Sequence, residues 1–264
     1  MLTDGARLAP GRPVLLLGTP RSGNTLLQRL FHELLGFPVL GAPTIDDIDV
    51  SRVDSAVFIQ MHAPHSRAAE RFVDQLGARV VTIARHPLDV LISILHFSRH
   101  ERQILDWLDG AGIPSPDTLA GAAPTSDEFV DWAAGKGAAR LLGVTHGWWR
   151  QPDTRRIYYE DLISDTSSVM ATLIADLDLG PELDLERRLV DADADELRQQ
   201  ALLGLANHHR WRGKANGWRE FLTRPIAERL HDAHRRVFDD LGYTIDGSTA
   251  SPAEASAAWA AHVK

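Results

Sequence analysis

Residues Gly18 to Leu26 read Gly-Thr-Pro-Arg-Ser-Gly-Asn-Thr-Leu and follow the apolar run Val14–Leu17. Two glycines that bracket four residues, between a strand's end and a helix's start, outline a loop for a phosphate. The first N–H groups of a helix have no carbonyl inside it and lie at the positive end of its dipole, so they favour an anion. Gly18 and Gly23 permit the tight turn. Ser22 and Thr25 carry hydroxyl donors, and Arg21 carries a guanidinium that can grip an anion with two parallel bonds. A nucleotide hydrolase of this outline has lysine directly after the second glycine; here Asn24 stands there, and no apolar strand ending in a metal-binding aspartate follows. The competing reading is a connecting turn without a ligand.

Two other segments carry cationic chemistry. In residues 82–100 an apolar run ends at Ala84, Arg85 follows, and Ser93 lies eight positions on in a helical pattern. Ligands of open α/β sheets sit at the carboxyl edge of the strands, where Arg85 and Ser93 can converge on one anion. The bland alternative pairs Arg85 with Asp89 and leaves Ser93 on a helix face. Residues 208–223 hold Arg210, Arg212, Lys214 and Arg219 with Trp211, Trp218, Gly213 and Gly217, in a chain that is otherwise acidic. That stretch reads either as a solvated loop or as a flap over a phosphate. His62 closes the apolar run 56–61. A histidine there is either a satisfied structural residue or a general base, for which an ordinary pKa of about 6.5 is suited.

These residues need a frame. Four short, continuous apolar runs, at 14–18, 56–61, 79–84 and 156–160, have the look of parallel strands buried on both faces. Helical patterns lie between them: 24–36, with leucines on one side, and 66–77, with Ser66 and Gly77 as caps. The alternation predicts an α/β fold, a three-layer doubly wound and mostly parallel sheet of P-loop-like type, in a single domain over 1–264. Residues 99–155, rich in Gly, Pro, Ala and Trp, are read as a helical and loop insertion forming a substrate lid. Within them Thr125 and Glu128 form a capping box. Residues 223–242 read as one amphipathic helix capped by Thr223 and ended by Gly242, and the tail 247–264 as loosely held.

Composition narrows the function. The 264 residues include 28 basic and 36 acidic ones, a net charge of −8. A nucleic-acid coat needs the opposite balance. There are no cysteines, which removes thiol chemistry and suits a reducing compartment. No apolar run approaches the ~20 residues of a membrane span, and the N-terminal residues lack an apolar signal core. The expectation is a cytoplasmic protein, and the alanine- and arginine-rich composition points to a bacterial source.

Together the motifs resemble the sulfotransferases that use 3′-phosphoadenosine 5′-phosphosulfate (PAPS). Pro20-Arg21-Ser22-Gly23-Asn24-Thr25-Leu26 is similar to the family's 5′-phosphosulfate loop, and Arg85 to Ser93 to its 3′-phosphate motif. Arg212 to Thr223 is similar to its C-terminal flap element, and Tyr158-Tyr159-Glu160-Asp161-Leu162 to its Tyr-Glu-Asp stretch. The resemblance implies that Arg21 stabilises the bridging oxygen of the donor and that Ser22, Gly23, Asn24 and Thr25 cradle the 5′-phosphate. It implies that Arg85, Ser93, Arg212 and Gly213, with Lys214 beside them, hold the 3′-phosphate, that Tyr159 lies near the adenine, and that His62 is the base. No metal is needed, because the transferring sulfuryl group carries less charge than a phosphoryl group.

The sequence departs from the family at several positions. Leu26 replaces an adenine-stacking tryptophan, Gln60 a lysine near the sulfuryl group, Trp211 a flap arginine and Gly217 an aspartate. The dimer signature survives only as Arg219, Thr223-Arg224 and Glu228, so a monomer or weak homodimer is expected. The acceptor is read as a small or medium organic molecule, walled by residues 41–50, His96, Phe97 and the tryptophans of the insertion. Asp46 and Asp47 are candidates to bind a cationic acceptor or to replace the base, and His65 is a less favoured base. The alternatives are a P-loop kinase or hydrolase and a catalytically silent nucleotide-binding protein of the same fold.

Overall fold

The structure is a computed structural model that describes residues 12–42, 44–53, 57–100, 116–179 and 214–263. Five strands form its sheet: β1 Val14–Leu17, β2 Val39–Gly41, β3 Phe58–Met61, β4 Arg79–Ala84 and β5 Thr154–Tyr158. Every pairing is parallel, and the order across the sheet is β2-β3-β1-β4-β5. β1 lies at the centre with all four residues buried, which is why its sequence shows no alternation.

Helices cover both faces. Helix α1 (Asn24–Leu35) packs Leu27, Leu30, Phe31 and Leu34 against Val14 and Leu16 of β1 and Phe58 of β3. Helix α2 (Arg67–Leu76) packs Ala69 and Phe72 against the opposite face, on Leu15, Leu17, Ile59 and Met61. Ser66 caps α2 by accepting the Ala69 N–H, and Gly77 ends it in the left-handed conformation, both as the sequence suggests.

After β1 the chain runs to β2 on one side of the sheet. After β3 it crosses over β1 to enter β4 on the other. The carboxyl ends of β1 and β4 therefore flank a topological switch point, where successive connections diverge and leave a crevice. Helix α3 (Pro87–Ser98) leaves β4 at that crevice and is buried along its whole length.

The structure differs from the sequence reading in several elements. Residues 116–149, within the stretch read as a lid, are largely helical. They form α4 (Pro116–Gly121), α5 (Asp127–Ala133) and α6 (Lys136–Trp149), and α6 packs on β1, β4 and β5. Val144 and Trp148 of α6 fill the same cluster as α2. Ser126, not Thr125, caps α5, accepting the Phe129 N–H. The last strand begins and ends two residues early, because Tyr159 opens α7 (Tyr159–Ser164), which α8 (Thr166–Asp176) follows.

The helix expected over 223–242 is two, α9 (Arg224–Ala233) and α10 (Arg235–Leu241). Between them His234 is buried and its Nε2 bonds the Ala133 carbonyl at 2.6 Å, which breaks the helical phase. In place of a loose tail, Pro252–His262 form α11 behind a Ser251–Glu254 capping box. Its Trp259 is 5% exposed and packs edge-on to Phe221. Among the described residues no helix is long and apolar enough to cross a membrane.

Candidate active site

The loop after β1 is braced from within. Thr19 O accepts both the Ser22 hydroxyl and the Asn24 side-chain amide, each at 2.7 Å. The Ser22 hydroxyl, read from the sequence as a donor to an anion, is thus spent on the loop, and Asn24 is buried beneath it. Asn24 also explains Gly18: a Cβ there would stand 2.5 Å from Asn24 Oδ1. Gly23 has φ 109°, and a Cβ on it would meet the Tyr159 ring at 2.5 Å. What remains for an anion is the first-turn N–H groups of α1, the Thr25 hydroxyl and Arg21. Pro20 and Leu26 are buried in the loop and in α1. The loop is bolted to α6 by a reciprocal pair, Thr19 N–H to Thr145 Oγ1 at 2.8 Å and Thr145 N–H to Thr19 Oγ1 at 3.1 Å.

Arg21 itself adopts φ 70°, a left-handed conformation that costs a non-glycine residue about 1 kcal/mol or more. That turn sends its side chain over the crevice. Its Nε donates to Ser93 Oγ at 3.1 Å, and its guanidinium lies 4.4 Å from the Phe97 ring centroid.

Arg85 approaches from β4. Its Nη1 donates to the Arg21 carbonyl and its Nη2 to the Lys214 carbonyl, both at 3.3 Å, and it lies 4.6 Å from the Tyr159 ring centroid. Arg85 is buried, and its Nε has no hydrogen-bond partner among the described residues. Burial, with the neighbouring charge of Arg85, brings the Arg21 pKa down to about 10. The crevice therefore holds two adjacent guanidinium groups, an arrangement that an anion would relieve.

The edge carrying Arg85 is anchored by distant residues. His86 N–H donates to Glu160 at 3.0 Å, and the other oxygen of Glu160 accepts the Tyr243 hydroxyl at 2.7 Å. The His86 ring stacks on Trp218, bonds the Thr244 carbonyl through Nε2 and accepts the Leu88 N–H at Nδ1. Burial brings its pKa down to about 4, so the ring is neutral. Asp89 is buried and accepts the Trp218 N–H at 2.7 Å, and burial raises its pKa to about 6. In the sequence Glu160 is legible only as part of a motif, and no motif singles out Tyr243 or Thr145. Their only signal is polar residues in otherwise apolar stretches.

His62 stands at the end of β3, next to β1. Its Nδ1 bonds the Gly18 carbonyl at 2.7 Å. A carbonyl only accepts, so Nδ1 carries the proton and the neutral ring has its basic lone pair at Nε2. Burial and the charge of Arg21 lower its pKa, against the opposing pull of the Gly18 bond, so the neutral form dominates at pH 7. His65 is differently employed, paired with Glu70 at 2.9 Å and set edge-on to Trp148.

The remaining predicted residues divide. Phe97 lies under Arg21, and His96, buried one position earlier on α3, faces His100 with ring centroids 5.0 Å apart. Asp46 and Asp47 are exposed in a short 3-10 helix, where Asp47 caps Thr44 by accepting its N–H at 2.9 Å and its hydroxyl at 2.8 Å. Tyr159 is 5% exposed, packed beneath Gly23 and Arg85. The Lys214 ammonium is paired with Glu220 at 2.8 Å. Trp211, Arg212, Gly213 and Trp107 lie outside the described residues. Also among the described residues, no cluster of His, Asp and Glu is arranged to hold a metal ion.

Comparison with known proteins bears on the fold and the family. The fold matches a mouse sulfotransferase solved in complex with PAP, the desulfated nucleotide, with TM-score 0.61 and 15% identity over 87% of this chain and 86% of that one. It also matches a retinol dehydratase in complex with androsterone and PAP, with TM-score 0.54 and 16% identity over 92% of this chain and 84% of that one. No curated protein sequence is a significant match to the chain. Residues 45–242 match the family described as the sulfotransferase domain, from just beyond β2 to the end of α10. The chain belongs to the sulfotransferase domain family.

Proposed function

We propose that this protein transfers a sulfuryl group from PAPS to a hydroxyl or amine of a small or medium organic acceptor. One observation carries the reading: Arg21 and Arg85 meet in the crevice between β1 and β4, with Ser93 bonded to Arg21 and His62 at the neighbouring strand end. The residues fit a nucleotide with two anionic ends. The partnerless Nε of buried Arg85 and the paired guanidinium charges call for an anion on the α3 side. The first turn of α1 calls for another on the loop side.

PAPS would supply the sulfuryl group and leave as PAP. The first-turn N–H groups of α1 and Thr25 would hold the 5′-phosphate, and Arg85 and Ser93 the 3′-phosphate. Arg21, reaching from the loop to Ser93, would stabilise the charge that builds on the bridging oxygen. Nε2 of His62 would accept the acceptor's proton, since its ring is held neutral in the tautomer a base requires. Asn24 turned into the loop leaves no lysine for the β- and γ-phosphates of a nucleoside triphosphate, which disfavours a kinase or hydrolase.

The acceptor would lie against Phe97 and His96. Asp47, already used as a cap, is a poor substitute base. Arg224 bonds Glu228 and the Ile245 carbonyl of its own chain, which favours a monomer or weak homodimer. The test is incubation with labelled PAPS and a broad acceptor panel, with products identified by mass spectrometry. Tight PAP binding without transfer to any acceptor would favour a silent nucleotide-binding protein, and magnesium-dependent ATP hydrolysis would favour the hydrolase.

A further inference from the structure

Residues 85, 89, 93 and 97 recur every four positions and so share one face of the β4–α3 edge. Three of them have a part in the site described above: Arg85, Ser93 and Phe97 all touch Arg21. The fourth, Asp89, is 0% exposed. Its Oδ1 accepts the Trp218 N–H at 2.7 Å, and its Oδ2 has no hydrogen-bond partner among the described residues. No ion pair joins it to Arg85 among the described residues, although the Arg85 charge acts on it. Burying a carboxylate with so few bonds is costly, and a carboxylate in this position calls for an explanation beyond packing.

The turn that Asp89 holds supplies one. Trp218 belongs to a short 3-10 helix, Gly217–Glu220, which Asn216 enters with φ 57°, a left-handed conformation that swings the next N–H groups inward. Two residues before Asn216, Lys214 presents the carbonyl that accepts Arg85 Nη2. A closed circuit results. Asp89 fixes Trp218, the turn fixes the Lys214 carbonyl, Lys214 fixes Arg85, Arg85 fixes the Arg21 carbonyl, and Arg21 bonds Ser93 on the same helix as Asp89.

We propose that Asp89 is a positioning residue that sets the Arg85 guanidinium for the 3′-phosphate by holding the 214–218 turn from inside the fold. This rests on the reading of the crevice as a PAPS site. Asp89 acts through Trp218 and Lys214, and it does not touch the nucleotide. Removing it frees the turn, and Arg85 loses one of the two carbonyls that aim it. The loss falls mainly on the 3′ end of the nucleotide, because the loop after β1 keeps further braces, the bonds to Thr19 O and the Thr19–Thr145 pair, that involve neither Asp89 nor Arg85.

The experiment measures calorimetric affinities of the full chain for PAP and for AMP, which lacks the 3′-phosphate, with thermal melts alongside. The wild type binding PAP well above AMP supports the PAPS reading, and no such preference overturns that reading and this proposal together. With that preference in hand, Asp89→Ala is expected to reduce the PAP-to-AMP affinity ratio about tenfold, the scale of one lost bond to a charged group. Asp89→Glu, which displaces the carboxylate by one methylene, is expected to reduce it about threefold and serves if the alanine variant does not fold. Asp89→Asn keeps an oxygen for the Trp218 N–H and is expected to stay within about threefold of the wild type. An unchanged ratio in the folded alanine or glutamate variant overturns the role of Asp89 alone. So does an equal loss for both nucleotides, which is what general loosening of the fold would produce.

Discussion

The two cationic walls of the crevice are built in opposite ways. The loop after β1 has short-range braces of its own, since Ser22 and Asn24 both bond Thr19 O, three and five residues away, in addition to the Thr19–Thr145 pair that ties it to α6. The β4–α3 edge is held by the far parts of the chain. Glu160 accepts the His86 N–H, Trp218 donates to Asp89, Lys214 accepts Arg85 and Thr244 accepts the His86 ring, across separations of 74 to 158 residues. The loop thus keeps internal bracing besides its tie to α6, whereas the other wall exists only once residues 214–244 have docked. The difference teaches where each kind of mutation should act: on the loop through chemistry, on the edge through affinity and pH.

The largest effect should separate the walls by kinetic parameter. Arg21→Ala is expected to lower kcat roughly 10²–10³-fold, the usual cost of one preorganised donor at a developing negative charge, with a much smaller change in PAP affinity. A variant with normal turnover would remove Arg21 from the transition state. On the other wall, Arg85→Ala should weaken PAP by roughly 10–100-fold, as expected for charged hydrogen bonds, and leave AMP nearly unchanged. If the variant kept the wild-type preference for the 3′-phosphate, the assignment of that wall would be wrong.

Smaller effects sharpen the contrast between local and long-range support. Gly23→Ala forces a Cβ to 2.5 Å from the Tyr159 ring at φ 109°. A loss of about 1–3 kcal/mol in denaturant unfolding is expected, since both strain and clash act there. An unchanged midpoint would show that the loop relaxes at no cost.

The edge should instead respond to acid. His86 titrates near 6.5 when unfolded and at about 4 when folded. Its contribution is complete above pH 6.5 and is lost as pH falls from there toward 4, amounting to about 2 kcal/mol by pH 5. Asp89 has the opposite sign: its folded pKa is raised to about 6, so protonation below that pH favours the fold. Unfolding of His86→Asn at pH 7 and pH 5 isolates the histidine term. The variant should be less stable at pH 7 and lose less on acidification, and an identical loss in both proteins would exclude His86 as the source.

The legibility of the site follows the same division. The loop could be read because glycine spacing, a preceding apolar run and a following helix pattern are all contiguous. Even there, only coordinates reveal that the Ser22 hydroxyl turns back to Thr19. Arg85, Ser93 and His62 could be read as strand-end and helix-face residues. What could not be read was their support. Thr145 is one polar residue in a stretch rich in Gly, Ala and Trp, and Tyr243 one aromatic beyond a helix end. The two-helix break at His234 was hidden for the same reason: periodicity extends through it, and only the Ala133 carbonyl, 101 residues away, explains the turn.

By itself the sequence determined the alternation of strand and helix, the anion-binding outline of residues 18–26 and the placement of Arg85 and His62 at strand ends and of Ser93 on a helix face. Periodicity, glycine and capping chemistry act over a few residues and leave their mark in order along the chain. Only the tertiary structure decided that Arg21 would reach Ser93, that Arg85 would be aimed by Lys214, and that buried Asp89 and Glu160 would stand behind them. Those choices depend on which carbonyl or N–H group lies within about 3 Å after the chain has crossed its own sheet. No local pattern encodes that distance.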